Sequence, residues 1–206
     1  MNTKKMLALA MCAVLLVVST VFVTVAFLTS QDAVQNTFTV GNVVITLDEL
    51  DVDNDEVTAD NKEYTVNGEK KIRDKANAYK LIPGKSYVKD PTIHVAGDSE
   101  KCYLFVTVDN GIANIEAAGN KIADQMAAKH WVNLTGNVYY YSLDGTNATA
   151  VEAGENVVVF DEFTVDNGLN YDEVNAYAGK TIVVNAYAIQ KDGMDASKPA
   201  DIWGSF

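Results

Sequence analysis

Along most of the chain, apolar and polar residues alternate with the period of two that a half-buried β-strand requires. Val43, Ile45 and Leu47 alternate with Val44, Thr46 and Asp48, whereas Phe38 and Val40 alternate in the other phase with Thr37 and Thr39. The slip across Gly41-Asn42 predicts a bulge or tight turn there. The acidic stretch DELDVDNDEVTADN that follows reads as a solvated loop. Beyond it, EYTV and EKKI flank Asn67-Gly68, the dipeptide that best suits a two-residue hairpin turn because both positions need positive φ.

Pro83-Gly84 predicts a turn and residues 88–95 a strand, in which Pro91 marks an edge or a bulge because it has no N–H for a ladder. Cys102, Leu104, Val106 and Val108 share one face of the next strand, and Asp109-Asn110-Gly111 turns the chain. Further strands are expected at VYYYSL, ENVVVFDEFTV and KTIVVNAYAIQ, with a short helix at NYDEVNAYAG. The period lengthens over IANIEAAGNKIADQMAAKH, residues 112–130, where Ile115, Ile122 and Met126 share a helical face and Gly119-Asn120 splits or bends the run. Many short strands with turn signals and one helical insertion predict a mainly β domain, a β-sandwich.

The front of the chain departs from this pattern. Lys4 and Lys5 precede residues 6–28, which carry no charge. Thr24-Val25-Ala26 offers small side chains at the −3 and −1 positions of a signal-peptidase site, so residues 1–26 read as a hydrophobic signal helix cut between Ala26 and Phe27. An uncleaved membrane anchor is the alternative, since a bilayer takes ~20 apolar residues to span. Met11 is too large for the position before a lipidated cysteine, which removes Cys12 from that role.

Cleavage leaves residues 27–206, enough for one domain with a core. It removes two lysines and no acid, taking the net charge from −12 to −14. So acidic a chain is repelled by nucleic acid and by anionic membrane surfaces. Cys102 is then the one cysteine, no internal disulfide can form, and an exported bacterial protein fits better than a eukaryotic secreted domain.

Catalytic motifs are sparse. His94 and His130 are far apart, and no H-E-x-x-H supplies the paired histidines of a zinc-protease helix. His94 is out of phase with Ile93 and Val95 and is expected to face solvent; His130 ends the helical stretch, where a cation favours the helix dipole. Cys102 lies in phase with aliphatic residues, as a core residue does and a nucleophile does not. Asp51, Asp53 and Asp55 alternate like the start of an EF-hand, but Glu56 stands where the loop needs glycine and Lys62 where it needs a bidentate glutamate. A looser calcium site or a solvated acidic loop remain as readings. Tyr139 and Tyr141 fall on one face of a strand and Tyr140 on the other, which suits a carbohydrate platform or core on at least one side. Neither an enzyme nor a cofactor is expected.

Five patches in order carry a family resemblance. AFLTSQDAVQNTFTVGNVVITLDE combines a small-residue cleavage site, an aromatic start to the mature chain and an N-x-F-x-x-G-x-(hydrophobic)-x-(hydrophobic) block, filled by Asn36, Phe38, Gly41, Val43 and Ile45. LIPGKSYVKDPTIHVAGDSEKCYLFVTV carries a P-G-x-x-x-x-K-x-P block and a strand; WVNLTGNVYYYS, VEAGENVVVFDEFTV and NAYAIQKDGMDASKPADIW follow. Together they resemble the TasA/camelysin family, exported by Gram-positive bacteria through a SipW-type signal peptidase.

The resemblance implies a jelly-roll-like antiparallel β-sandwich with helical insertions. It implies a secreted structural subunit of extracellular fibres, at the cell surface or in the biofilm matrix, whose partners are further copies head to tail. The freed N-terminal strand of one subunit fills a groove in the next. The arm here is residues 27–36, with Phe27, Ala33 and Val34 as apolar anchors, the last two on opposite faces; a frayed terminus is the plainer reading of the same residues. The sequence shows no wall-sorting signal or wall-binding repeat, so attachment to the cell, if any, is expected to come from assembly or from an accessory anchoring protein. The acidic-then-basic insertion around Asn67-Gly68 departs from the family. The family's peptidase label finds no motif here, so a secreted metallopeptidase stands as an alternative, beside a monomeric cell-surface binding module.

Overall fold

The computed structural model describes residues 42–52, 62–66 and 69–206. The expected signal helix, the arm and Asp53 and Asp55 lie outside these residues. Strand β1 (Ile45–Leu50) realises the first alternation, with Val43, Ile45 and Leu47 packed on the core. It runs further than expected: Asp48, Glu49 and Leu50 belong to the strand rather than to a solvated loop, and Glu49 is buried. Strands β2 (Lys62–Val66) and β3 (Glu69–Asp74) pair antiparallel with Val66 opposite Glu69, the register that a two-residue connection dictates. The end of β3 then joins β1, Arg73 opposite Leu50.

Residues 88–95, expected as one strand, divide between β4 (Ser86–Val88) and β5 (Thr92–Val95). Pro91 has no N–H to give a ladder, and its carbonyl accepts from the Val159 N–H at 2.8 Å instead. The break moves the chain between sheets. ENVVVFDEFTV divides in the same way, into β10 (Asn156–Val158), which pairs with β5, and β11 (Glu162–Thr164), which pairs with β4. Val159 and Phe160 between them are fully buried, so consecutive inward residues replace alternation there.

One sheet has the order β10-β5-β1-β3-β2. Another is built on β6 (Cys102–Asn110), with β12 (Ile182–Gln190) on one side and β8 (Val138–Tyr141), then β7 (Trp131–Thr135), on the other. The short β9 (Ala150–Val151) also pairs with β6. Every described strand pair is antiparallel.

The helical insertion is a 3-10 turn (Ala113–Ile115) followed by helix α1 (Ile122–Ala128), parted around Gly119-Asn120, with Ile115, Ile122 and Met126 buried. Helix α2 (Tyr171–Asn175) opens with a capping box, Glu173 N–H to Asn170 Oδ1 at 3.1 Å and Asn170 N–H to Glu173 Oε2 at 2.8 Å. Helix α3 (Pro199–Trp203) near the C-terminus was not expected. Among the described residues no helix is long and apolar enough to cross a membrane.

β6 divides the interior. Cys102, Leu104, Val106 and Val108 face a main core shared with Ile93 and Val157 of one sheet and with Tyr87 of β4 and Phe163 of β11. Tyr103 and Phe105 face the other way, into a second core closed by Tyr140, Ile202 and Trp203. The protein is therefore mainly β, antiparallel sheets layered on a common core, with α3 covering an outer sheet face.

Candidate functional site

Strands β12 and β1 border an opening in the main core. β12 pairs with β6 along its whole length, and no strand lies along its other edge among the described residues. Residues 45–48 of β1 pair with β5, while β3 meets β1 only at residues 49 and 50. The inward side chains of both strands register the gap. Ile45, Leu47, Ile182, Val184 and Ala186 pack on the core yet stay half-buried, whereas Leu104 and Val106 on neighbouring β6 are 1% and 0% exposed. A cavity of about 800 Å³ opens here, lined by Leu47, Tyr79 and Leu81 on one side and Val174, Ile182 and Val184 on the other. Charged side chains of both signs also line it, Asp48 and Glu49 beside Lys75, Lys80, Lys89 and Lys180.

A buried ionic network fixes the β1 side. Arg73, at the end of β3, is 6% exposed. Its Nε donates to Asp48 Oδ1 at 2.5 Å and its Nη1 to Asp90 Oδ2 at 2.8 Å. Nη2 donates to the carbonyls of Asp48 (3.2 Å) and Asp90 (2.9 Å) and to Thr92 Oγ1 (2.9 Å). Asp90 in turn accepts the Leu50 N–H at 2.7 Å. Burial pushes the Asp48 carboxyl up, but hydrogen bonds and charge from His94 and Arg73 outweigh it and hold the group below its ordinary value.

His94 corrects the expectation that it faces solvent. It lies on β5 opposite Thr46 of β1 and Asn156 of β10, and its side chain is only 13% exposed because Asp48 and Asn156, from those flanking strands, hold its ring. Its ring nitrogens sit 2.8 Å from Asp48 Oδ1 and 2.7 Å from Asn156 Oδ1.

Beside this network, Glu49 reaches two other segments. Its Oε2 accepts from Lys89 Nζ at 2.6 Å and its Oε1 from Asn77 Nδ2 at 3.0 Å. Asn77 Nδ2 also donates to the Leu50 carbonyl at 2.9 Å, and its Oδ1 accepts the Val52 N–H at 2.8 Å. Tyr79 Oη donates to the Val88 carbonyl at 3.0 Å, tying the same segment to β4.

Of the residues singled out in the sequence, Ala26, Phe27, Ala33, Val34, Asp53 and Asp55 lie outside the described residues. Asp51 follows β1 and is half-buried. Among the described residues no three His, Cys, Asp or Glu side chains gather to hold a metal. Cys102 is fully buried, and burial pushes its thiol up to about 11, as befits a core residue. Tyr139 and Tyr141 pack on the main core and Tyr140 on the second, where its hydroxyl donates to the Thr146 carbonyl at 3.0 Å. Both faces of that strand thus serve packing rather than a carbohydrate platform. His130 lies just beyond α1, after the C-cap Lys129, in the left-handed region at φ 68°.

Sequence reasoning missed Arg73, Asp90 and the Glu49–Lys89–Asn77 group. One signal was available: Arg73 is the only arginine in the chain, and arginine suits planar recognition of two carboxylates better than the lysines used elsewhere. No family model, no curated protein and no solved structure matches the chain.

Proposed function

We propose that the protein is a secreted structural subunit of extracellular fibres, in which residues 27–36 of one copy occupy the seam between β1 and β12 of the next. The observation that carries this reading is the seam: a cavity of about 800 Å³ between two strand edges, where Leu47, Leu81, Ile182 and Val184 give an apolar wall beside charged side chains. β12 has nine residues, an edge of roughly 30 Å at about 3.3 Å per residue. The ten residues of the arm match that length. A strand added along β12 pairs the free ladder groups of that edge and covers the half-buried side chains. It also brings the sheets toward the jelly-roll-like sandwich that the TasA/camelysin resemblance implies.

Phe27 and Ala33, six residues apart, share one face of the added strand and supply the inward side chains, with Val34 on the other face. Each large apolar one buried contributes roughly 1.5–3 kcal/mol toward the cost of association. Asp32 of the arm suits the lysines at the cavity. Arm and seam are different surfaces, so the contact is head to tail and builds an open filament. Cleavage between Ala26 and Phe27 by a SipW-type peptidase frees the arm at the cell surface.

The test compares mature protein with two variants, one lacking residues 27–35 and one carrying Val184→Lys. Size-exclusion chromatography over a range of concentrations and electron microscopy are expected to show fibres from the unaltered protein alone. Undiminished fibres from the arm deletion overturn the arm's role. Casein cleavage abolished by a chelator would favour the metallopeptidase, and a monomer at every concentration the surface binding module.

A further inference from the structure

Glu49 holds a primary amine and a carboxamide on one carboxylate: Lys89 Nζ at 2.6 Å from Oε2 and Asn77 Nδ2 at 3.0 Å from Oε1. The three residues come from separate places, β1, the segment after β3 and the connection from β4 to β5. The side chains of Lys89 and Glu49 are 11% and 5% exposed and Asn77 is half-buried, all three on the wall of the seam cavity. The Tyr79 ring stands 6.0 Å from Nζ. The carboxamide is also polarised, because its Oδ1 accepts the Val52 N–H at 2.8 Å. An ion pair needs only the amine and the carboxylate. An amine, a shared proton carrier and a polarised amide carbonyl are instead the parts of an acyl-transfer site.

We propose that Lys89 and Asn77 become joined by an intramolecular side-chain amide bond, with Glu49 carrying the protons. The Lys89 ammonium gives a proton to Glu49, and the freed Nζ lone pair adds to Asn77 Cγ. The oxyanion forms on Oδ1, where the Val52 N–H already donates. Glu49 returns its proton to Nδ2 and takes one from Nζ; the Cγ–Nδ2 bond breaks and ammonia leaves, carrying that proton away as ammonium. The new bond is Nζ–Cγ. Nothing is oxidised or reduced, and Glu49 ends ionised as it began. The product ties the segment that carries Tyr79 and Leu81, one wall of the seam, to the β4–β5 connection. This inference does not depend on what fills the seam.

The test is the intact mass of the denatured unaltered protein, followed by a tryptic digest. The expected mass is lower by one molecule of ammonia, with residues 76–80 found joined to residues 86–101, because trypsin cannot cut at a Lys89 that has become an amide. Glu49→Gln and Lys89→Met are expected to restore the full mass and to release 76–80 unlinked. An unaltered protein of full mass, yielding 76–80 and 86–89 as separate peptides, overturns the proposal. So does a lost ammonia that maps to Asn67-Gly68 as a cyclic imide. Both readings come from the unaltered protein, so they stand even where a variant fails to fold.

Discussion

Replacing Arg73 with leucine is expected to destabilise the domain by about 3 kcal/mol, the lower part of the 3–5 kcal/mol range for breaking a buried pair. The side chain is 6% exposed and makes five hydrogen bonds to Asp48, Asp90 and Thr92. Leucine satisfies none of them and leaves two carboxylates facing one another at the end of β1. The loss stays at the lower end because each carboxylate keeps one partner, Asp48 the His94 ring at 2.8 Å and Asp90 the Leu50 N–H at 2.7 Å. Arg73→Lys keeps the charge but not the planar fork, and about half the loss is expected. Adding Asp90→Leu to Arg73→Leu removes one stranded charge, so the double variant is expected to lose less than the two single changes summed, with a coupling of about 0.5–3 kcal/mol. Urea titrations followed by tryptophan fluorescence, with unchanged slope, read these differences. A loss for Arg73→Leu under ~1 kcal/mol, the scale of a surface pair, would refute the reasoning: the carboxylates would then be solvated and the seam wall not held by charge.

Acid provides a second check. Asp48 is held below its ordinary value of 3.8, so its stabilisation is complete above that pH and is lost as pH falls through its lower folded-state value. Burial of Glu116 raises that carboxyl above its ordinary 4.5, so Glu116 works in the opposite sense, its ionisation costing stability as pH rises through its folded-state value. Asp48→Asn is therefore expected to flatten the acid limb of a stability-against-pH curve, and Glu116→Gln to steepen it. In the second core, Ile202→Ala empties a site that is 1% exposed under Phe105 and Tyr187, with an expected loss of about 2–4 kcal/mol by denaturant titration.

The local signals were legible in the sequence. Alternation marked β6 and β12, Asn67-Gly68 the hairpin register, Gly119-Asn120 the split in the helical insertion, and NYDEVNAYAG the short helix α2. What depends on distant partners was not. Pro91 could be read as an edge or a bulge, but a change of sheet depends on β10 and β11, more than sixty residues later. Glu49 counted as one more acid in an acidic run because its partners Asn77 and Lys89 are 28 and 40 residues away. His94 was assigned to solvent because alternation takes the outer face to be wet, and here the Asp48 and Asn156 side chains on that face engage its ring. The five-residue α3 has too few turns to show a period. Its trace was indirect: Tyr103 and Phe105 stand at positions of β6 that alternation reserves for polar residues. The seam is a property of strand order, which no stretch of sequence displays.

The two borders of the seam are stiff for different reasons, and that bears on why it stays open. β12 is tied to β6 over nine residue pairs. β1 is paired with β5 and pinned from β3 through Arg73, with Glu49 bracing the segment beyond. Side chains such as Leu47, Leu81 and Val184 would close on one another if their backbones could move, since interiors pack without voids of this size. Buried ion pairs contribute little net stability compared with well-packed apolar residues, so packing alone gives no reason to place Asp48, Arg73, Asp90, Glu49 and Lys89 together. They do fix geometry, because each demands a partner at hydrogen-bond distance and direction. Under the proposed assembly, a strand from another copy would meet a slot already shaped, and binding would not have to order the receiving walls. On this reading the network's cost in desolvation is the cost of keeping the seam ready.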